Sequence, residues 1–330
     1  MNEKRSGKTL LAFTAREDNE VGKTTAAQNA LRAVTETDSG VRVRQMGDAD
    51  LDRILELRSI VRWSADPRAF DLLRGVRDAR WAVAEAPDGD LAGMVGAVPL
   101  GDIGVLCHLA VHDGYRGLGL GALLSSWAVA YLRSRGAKTV RLYSILRAEG
   151  LYRSLGFEEV TPRTVYRLEE RPWRLRVPEQ VDGHRVQTLT FGGLPEFYGV
   201  DRWNYGADRS ALLFATLRLH PGRGLVARDS TGRIKGYLIR SVRGRAIRIG
   251  PFLASTPDVA RLLLARALPA TGGTPVQVTV SGSAGCHAHS LLQEFGFEGA
   301  EDRMRMELGE KTATCSTGLV HYDTTPYLAT

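Results

Sequence analysis

The first half of the chain divides into short segments whose apolar residues change from one spacing to another. Residues 41–45 alternate between apolar and polar positions, as a strand does, and the apolar residues of 51–61 have helical spacing. Two apolar runs, 81–85 and 91–98, flank a Pro-Asp-Gly-Asp sequence that is typical of a turn between antiparallel strands. The pattern predicts a strand, a helical region and a β-hairpin.

The same kind of pattern continues to about the middle of the chain. A third strand, 104–111, leads into a glycine run. Beyond it, the spacing predicts a helix from Gly119, a strand at 139–144, a short helix at 148–155 and a strand from Phe157.

This order of segments recurs in the second half. Gly89 of the hairpin turn and Gly232 of a second turn lie about 140 residues apart, and so do the Gly-Phe pairs at 156–157 and 296–297. The apolar runs between them agree as well. The steady offset indicates an internal duplication.

The duplication predicts two domains, separated in the Arg-, Pro- and Glu-rich stretch between Glu170 and Gly183. The expected parts of the chain are an N-terminal arm at 1–40, a first domain at 41–175, a second at 182–310 and a tail at 311–330.

Composition excludes some classes of partner. The chain has 330 residues, 43% of them hydrophobic, which suffices for two cores. Its net charge is +7, but the basic residues are scattered over both halves rather than gathered in a stripe interleaved with aromatic residues. No apolar run approaches the length of a membrane span. We therefore expect neither a nucleic-acid nor a membrane partner.

The cysteine and histidine residues predict no metal centre. Cys107, Cys286 and Cys315 are too far apart for a CxxC zinc pattern or a disulfide framework. His287 and His289 have no third ligand nearby. A reducing, cytoplasmic compartment is the expectation.

The sequence HDGYRGLGLGALL joins the third strand to the following helix. Glycines permit positive φ angles, so that successive N–H groups converge on a phosphate oxygen. A helix that begins near Gly119 adds unpaired N–H groups and the positive end of its dipole. The run predicts a pyrophosphate site.

A nicotinamide or flavin dinucleotide is one alternative, since Gly117, Gly119 and Ala122 match the G-x-G-x-x-G/A fingerprint. That fingerprint opens a βαβ unit and is followed, about 20 residues on, by an acidic residue that holds a ribose. Here the next strand ends in Leu142–Ile145 without a carboxylate, and the preceding strand is the third of a meander. The flanks disfavour a dinucleotide.

Two motifs resemble those of the GNAT superfamily of acyl-CoA N-acyltransferases. YRGLGLGALL is similar to the family signature R/Q-x-x-G-x-G/A, filled by Arg116, Gly119 and Gly121. AEGLYRSLGF, at 148–157, is similar to the next family motif, a short helix with a tyrosine before Gly-Phe. The resemblance covers residues 41–170 well and residues 184–308 more faintly, and the two ends of the chain lie outside it.

The resemblance implies an α/β (α+β) fold of two GNAT-like domains, each with a central mixed, mostly antiparallel sheet flanked by helices. It implies an N-acetyltransferase that transfers an acetyl group from acetyl-CoA to a primary amine of a small molecule, by direct attack in a ternary complex. A non-catalytic acyl-CoA-binding or sensing module is the alternative.

Acetyl-CoA would then lie along the third strand and the glycine run, with pantetheine on the strand and pyrophosphate on the run. The amide N–H of Ala110 or Val111 is the candidate donor to the oxyanion. The cofactor residues that the resemblance implies are Leu109, Ala110, Val111, Arg116, Gly117, Leu118, Gly119, Leu120, Gly121 and Ala122.

Tyr152 stands at the family's general-acid position, where a phenol can protonate the departing thiolate. Alternatively, it only packs or bonds the cofactor sulfur. Where known family members have a Glu or His base, the inward positions are Val105 and Cys107. His108 is adjacent, but strand alternation turns it to the other face.

Cys107 could also form a covalent acyl-enzyme. A buried free cysteine is more often a small apolar filler. We therefore expect direct attack by the amine, with water relaying its proton.

The second copy lacks both chemical motifs. It has Ser-Thr-Pro-Asp at 255–258 in place of the glycines, and Leu292 in place of the tyrosine. It resembles the degenerate C-terminal half of tandem GNAT proteins, which shapes the substrate pocket or a homodimer.

The most polar, aromatic-laced stretch of the second copy is YGVDRWNYGADRSALL. From it, Tyr205 and Asp208, together with Asp201 and Arg209, are candidates to meet a substrate ammonium group. For Asp208, a role at the start of the following helix is the favoured alternative.

Overall fold

The two halves of the chain fold into the same order of elements, as the repeated pattern predicts. The computed structural model describes residues 35–36, 40–61, 63, 65–169, 180–181, 183–282, 287–312 and 320–323. Its strands are β1 Thr35–Glu36, β2 Arg42–Gln45, β3 Arg80–Glu85, β4 Leu91–Leu100, β5 Ile103–Val111, β6 Thr139–Ile145, β7 Glu158–Leu168, β8 Gln180–Val181, β9 His184–Thr188, β10 Gly224–Arg228, β11 Ile234–Arg243, β12 Ala246–Ala254, β13 Val276–Ser281, β14 Glu298–Gly309 and β15 Val320–Asp323.

Two helices precede the β-meander of each copy, and two more alternate with its later strands. The α-helices are α1 Leu51–Ile60, α2 Pro67–Arg74, α3 Leu120–Ser134, α4 Glu149–Ser154, α5 Leu194–Tyr205, α6 Ser210–Leu219, α7 Pro257–Ala267 and α8 His287–Glu294. In the described residues no helix has the length and apolarity needed to cross a membrane.

The strands of both copies join in one mixed sheet. Its order through the described residues is β1-β2-β3-β4-β5-β6-β14-β7-β13-β12-β11-β10-β9-β8, and β15 pairs with β12. Most pairs are antiparallel, whereas β5–β6 and β12–β13 are parallel. The predicted mixed, mostly antiparallel sheet flanked by helices is confirmed.

The two copies exchange their last strands, which the sequence pattern does not predict. Strand β14 of the second copy pairs with β6 of the first, with Met306 opposite Leu142. Strand β7 of the first copy pairs with β13 of the second, with Tyr166 opposite Val278. Because duplicated units present similar strand edges, either last strand can complete either sheet. The exchange ties the copies together at their centre.

The first copy has a core on each face of its sheet. On the α3 face, α3 and α4 cover residues that include Leu106 and Leu142. On the α1 face, α1 and α2 cover residues that include Val105 and Cys107, and Tyr205 from α5 packs into this same core. The second copy therefore helps to cover the α1 face of the first.

Each copy contains a pair of parallel strands that separates partway along. β5 and β6 pair only from Ile103 opposite Thr139 to Val105 opposite Arg141, although both strands continue further. We call the resulting gap the first cleft. β12 and β13 pair at 247–249 and 276–278 and then leave a second cleft in the same place.

Candidate active site

Strand β5, which forms one wall of the first cleft, contains a bulge. Met94 of β4 lies opposite Ala110, but Gly96 lies opposite Cys107, so β5 has one residue more than β4 in this stretch. His108 takes the extra position with a φ of 53°, in the left-handed region. The bulge bends β5 where it leaves β6.

The bulge places His108 on the same face as Cys107, not on the opposite face that strict alternation predicts. Cys107 is buried in the core of the α1 face. The His108 ring lies 6.0 Å from the ring of Trp63, which packs against that same core. The predicted orientation of His108 is wrong because one extra residue shifts the alternation of side chains.

The amides of β5 point alternately toward β4 and toward the first cleft. His112 N–H donates to the carbonyl oxygen of Ala92 on β4, at 2.9 Å. By alternation, Ala110 N–H points to β4 as well, and Val111 N–H points into the first cleft. Of the two predicted oxyanion donors, the geometry favours Val111.

The glycine run forms an open turn at the mouth of the first cleft. Gly117 and Gly119 have φ angles of 83° and 76°. Among the described residues, no atom lies within 4 Å of the place that a Cβ would take at either glycine. Arg116 is exposed and forms an ion pair with Asp113, at 2.6 Å. The turn leaves space above its backbone.

Helix α3 begins directly behind this turn. The N–H of Leu123 bonds to the carbonyl oxygen of Gly119, at 3.1 Å, and the N–H groups of residues 120–122 precede this ladder. The first turn of α3 contains no acidic residue. The positive end of the helix therefore faces the loop with no carboxylate in that turn to oppose an anion.

Tyr152 on α4 is buried beside the first cleft. Its ring packs edge-on against Phe157, with centroids 5.8 Å apart, in the core of the α3 face. Burial raises the pKa of the Tyr152 phenol above its ordinary value, and the nearby Cys107 thiol adds to the effect. The phenol therefore stays protonated at neutral pH and can donate a proton or a hydrogen bond.

Sequence comparison places both halves in one family. Residues 51–157 match the acetyltransferase (GNAT) family, and residues 198–320 match an acetyltransferase (GNAT) domain. The chain is a tandem GNAT-family protein. The resemblance of the two motifs to that superfamily is confirmed.

This GNAT protein is similar to known proteins at low sequence identity. The "Uncharacterized N-acetyltransferase YitH" of Bacillus subtilis is 22% identical over 223 residues, which are 67% of this chain and 76% of that protein. A crystal structure from Pyrococcus horikoshii aligns with a TM-score of 0.71 and 20% identity, over 89% of this chain and 97% of that one.

A tandem GNAT protein from the clavulanic acid biosynthesis pathway aligns with a TM-score of 0.60 and 17% identity, over 83% of this chain and 99% of that one. At such identities the two structural matches show a common fold.

Arginine and aromatic side chains surround Cys107 on the α1 face of the GNAT sheet. The Arg58 guanidinium lies 5.6 Å from the ring of Trp63 and 5.5 Å from that of Phe70. Burial lowers the pKa of Arg58 to about 10, and Cys107 opposes that shift. The side chains placed beside Cys107 are thus cationic and aromatic, and none of those named is a carboxylate.

The residues predicted to meet a substrate ammonium group do not form one site. Arg209 holds Asp201 through two hydrogen bonds of 2.7 and 2.6 Å, and both side chains are 1% exposed. Tyr237 also donates to Asp201, at 2.6 Å. Asp208 is exposed and accepts a bond from the N–H of Ser210, where α6 begins.

Asp201 and Arg209 are therefore structural, and Asp208 fulfils the helix-start alternative rather than the substrate prediction. Tyr205 is the exception, because its side chain is buried on the α1 face beside the first copy. Burial raises the pKa of Tyr205 to about 12. It remains a candidate for substrate contact.

A group of polar residues on the same face was not predicted from the sequence. They alternate with apolar residues along β6 and β14, a pattern that ordinarily marks a solvent-facing side of a strand. The polar side of β6 and β14 is instead covered, because the strand exchange places β14 beside β6 and α5 packs on the same face. The buried or half-buried members are Arg141, Tyr143, Arg303, Arg305 and Glu307.

Proposed function

We propose that this GNAT protein transfers an acetyl group from acetyl-CoA to a primary amine of a small molecule, in a ternary complex at the first cleft. One observation carries the proposal. The open strand edge, the glycine turn before α3 and the buried Tyr152 all meet at the first cleft.

Features along the first cleft support acetyl-CoA as the donor. The backbone of Leu109–Val111 lies beyond the last β5–β6 pair, so that pantetheine amides can pair with it as a strand would. The turn at 116–119 and the N–H groups of 120–122 can hold the pyrophosphate. The thioester would then lie near Val111 and Tyr152.

The reaction needs one bond formed and one broken. The neutral amine nitrogen attacks the thioester carbonyl carbon, and Val111 N–H stabilises the oxyanion. The carbonyl then re-forms as the carbon–sulfur bond breaks. Tyr152 gives its proton to the departing thiolate and regains one from solvent.

The attacking amine loses its proton to water, directly or through His108. Both His108 and Cys107 face the side from which the amine would approach. We assign Cys107 to lining this side rather than to an acyl-enzyme, because direct attack needs no second transfer step.

The first copy, 41–175, is the catalytic domain in this proposal, and the second, 182–310, is accessory. In the second copy, β12 pairs with β15 at Phe252–Ala254, along the second cleft. The start of α7 offers Thr256, Pro257 and Asp258 in place of a glycine turn. One acetyl-CoA site per chain follows.

The test is a coupled assay of thiol release with acetyl-CoA and a panel of primary amines, together with calorimetric binding of acetyl-CoA. Thiol release that depends on an amine, with an N-acetylated product by mass spectrometry, is the expected result. Binding without turnover for every amine would instead identify a sensing module. Absence of acetyl-CoA binding would contradict both functions.

A further inference from the structure

A buried group of arginine and tyrosine side chains lies where the two copies meet. We call Arg141, Tyr143, Tyr205 and Arg305 the arginine chamber. The Tyr205 ring lies 4.1 Å from the guanidinium carbon of Arg209 and 5.2 Å from that of Arg141. Nothing in the proposed acetyl transfer uses these groups.

The arginine chamber contains donors with nothing to bond. Within the described part of the chain, Nε and Nη2 of Arg305 and the hydroxyl of Tyr143 are buried and lack a hydrogen-bond partner. The Arg305 side chain is nevertheless 17% exposed, so that the chamber can be reached from solvent. Buried polar groups without partners are costly, so these donors favour a polar partner such as water or the oxygens of a ligand.

The open donors of Arg305 define the shape of that ligand. Nε and Nη2 form one edge of the guanidinium, a two-pronged donor that matches the two oxygens of a carboxylate. Arg209 shows this geometry in the same chain, since its Nε and Nη2 hold the carboxylate of Asp201 at 2.7 and 2.6 Å. Arg305 presents the same edge, with no hydrogen bond to it from the described residues and with the Glu307 carboxylate 3.6 Å from its Nε.

Charge at the arginine chamber favours an anion. Glu307 accepts from Arg141 Nε at 2.7 Å and from Thr312 at 2.8 Å, and lies 3.6 Å from Arg305 Nε, beyond hydrogen-bonding distance. Two guanidinium groups therefore share one carboxylate. Burial and the neighbouring Arg141 lower the pKa of Arg305. A second anion beside Arg305 would stabilise its charged form and raise this pKa again.

The arginine chamber adjoins the first cleft. Arg305 lies opposite Tyr143 in the β14–β6 pair. Tyr143 comes two residues after Arg141, which pairs with Val105, so it lies across the first cleft from Cys107. Their side chains share the α1 face. Because β5 and β6 have separated at this point, the backbones of Cys107 and Arg305 lie farther apart than two strand spacings of about 5 Å each.

We propose that the acetyl acceptor is a small amine that carries a carboxylate, which Arg305 binds through its open edge with help from the Tyr143 and Tyr205 hydroxyls. The amine would then lie toward Cys107 and the thioester. This inference rests on the proposed function and adds the substrate class to it.

The experiment compares each amine with its neutral analogue. We would measure kcat/KM for glycine, β-alanine, γ-aminobutyrate and L-lysine, and for the carboxamide of each, with the unaltered protein and with Arg305→Gln. The control is Arg240→Gln, which removes another buried arginine with an unbonded Nε, on β11 of the second copy.

The unaltered protein is expected to prefer the best carboxylate over its carboxamide by about tenfold or more, as charged hydrogen bonds allow. Arg305→Gln should remove most of this preference, chiefly through KM, and leave acetyl-CoA binding unchanged. Arg240→Gln should retain it. Equal kcat/KM for acid and amide, or a preference that survives Arg305→Gln, would overturn the inference.

A second variant and a binding measurement test the carboxylate site separately from the proposed acetyl transfer. If Arg305→Gln does not fold, Tyr143→Phe is expected to lower the preference severalfold, and an unchanged preference would count against the chamber. Calorimetric binding of N-acetyl-β-alanine, weakened by Arg305→Gln, would support the carboxylate site even if turnover failed. Acetylation of amides alone would leave the proposed function standing and refute this inference.

Discussion

The first and second clefts have the same origin in the fold but differ in what lies along their open strand edge. In the first cleft, the edge of β5 that faces β6 is unpaired beyond Val105 among the described residues. In the second, β15 pairs with β12 at Phe252–Ala254 and takes the place that pantetheine would need. The duplicated fold therefore keeps the second cleft, but the strand edge along it is already paired.

The helix that follows each cleft shows the same contrast. α3 starts from Gly119 in the left-handed conformation, behind an open turn. α7 starts from Thr256, whose hydroxyl accepts from the N–H of Val259 at 3.2 Å, and Pro257 offers no N–H. The first helix start is free to bind phosphate, whereas the second is already capped.

The largest expected difference between the copies concerns Tyr152 and its counterpart Leu292. Tyr152→Phe should lower kcat by about 100-fold, because the thiolate loses its proton donor. Leu292→Met, a volume-conserving change in the second copy, should leave kcat unchanged. Steady-state assays measure both, and an unaltered kcat in Tyr152→Phe would assign the tyrosine to packing alone.

The glycine turn offers the next contrast. Gly119→Ala should weaken acetyl-CoA binding by about tenfold, since a side chain strains the positive φ by roughly 1–2 kcal/mol and displaces the phosphate-binding amides. Gly136 has a φ of 89° and equally open space at the far end of α3. Gly136→Ala is thus a matched control in calorimetry, and equal weakening in both variants would argue against a phosphate site at 116–122.

Removal of β15 tests whether that strand alone silences the second cleft. A chain that ends at Thr312 should lose about 1–3 kcal/mol of unfolding free energy with its backbone hydrogen bonds. It should still bind one acetyl-CoA, because α7 has no glycine turn. Binding of a second molecule would show that β15 blocks a cleft that is otherwise competent.

The smallest expected effect is one of pH. The folded-state pKa of Tyr152 is raised by burial, so the phenol keeps its proton up to and beyond the ordinary tyrosine pKa of about 10. The rate should rise with pH as the amine loses its proton and should not fall again below about pH 10. A falling limb near pH 8 or 9 that Tyr152→Phe abolishes would contradict the assigned pKa.

Much of the first copy could be predicted from its sequence because its signals are local. The hairpin turn, the glycine run and the tyrosine before Gly156 each depend on residues close together in the chain. The same holds for the loss of the glycines before Pro257. Residues 1–34 and the cysteines Cys286 and Cys315 lie outside the described residues.

The features that the sequence did not reveal depend on distant contacts. The bulge at His108 is set by pairing with β4, and no glycine marks it. The arginine chamber forms because β14 lies between β6 and β7 in the sheet. This position places Arg305, which the sequence pattern assigns to a solvent-facing side, opposite Tyr143. The alternation of apolar and polar residues along one strand does not show which strand pairs with that strand or which helix covers its polar face.

Titration of acetyl-CoA into the unaltered protein by calorimetry tests the central claim most directly. The open first cleft and the β15-filled second cleft predict one molecule bound per chain. Two molecules per chain, or none, would contradict the assignment of a single acetyl-CoA site to the first cleft.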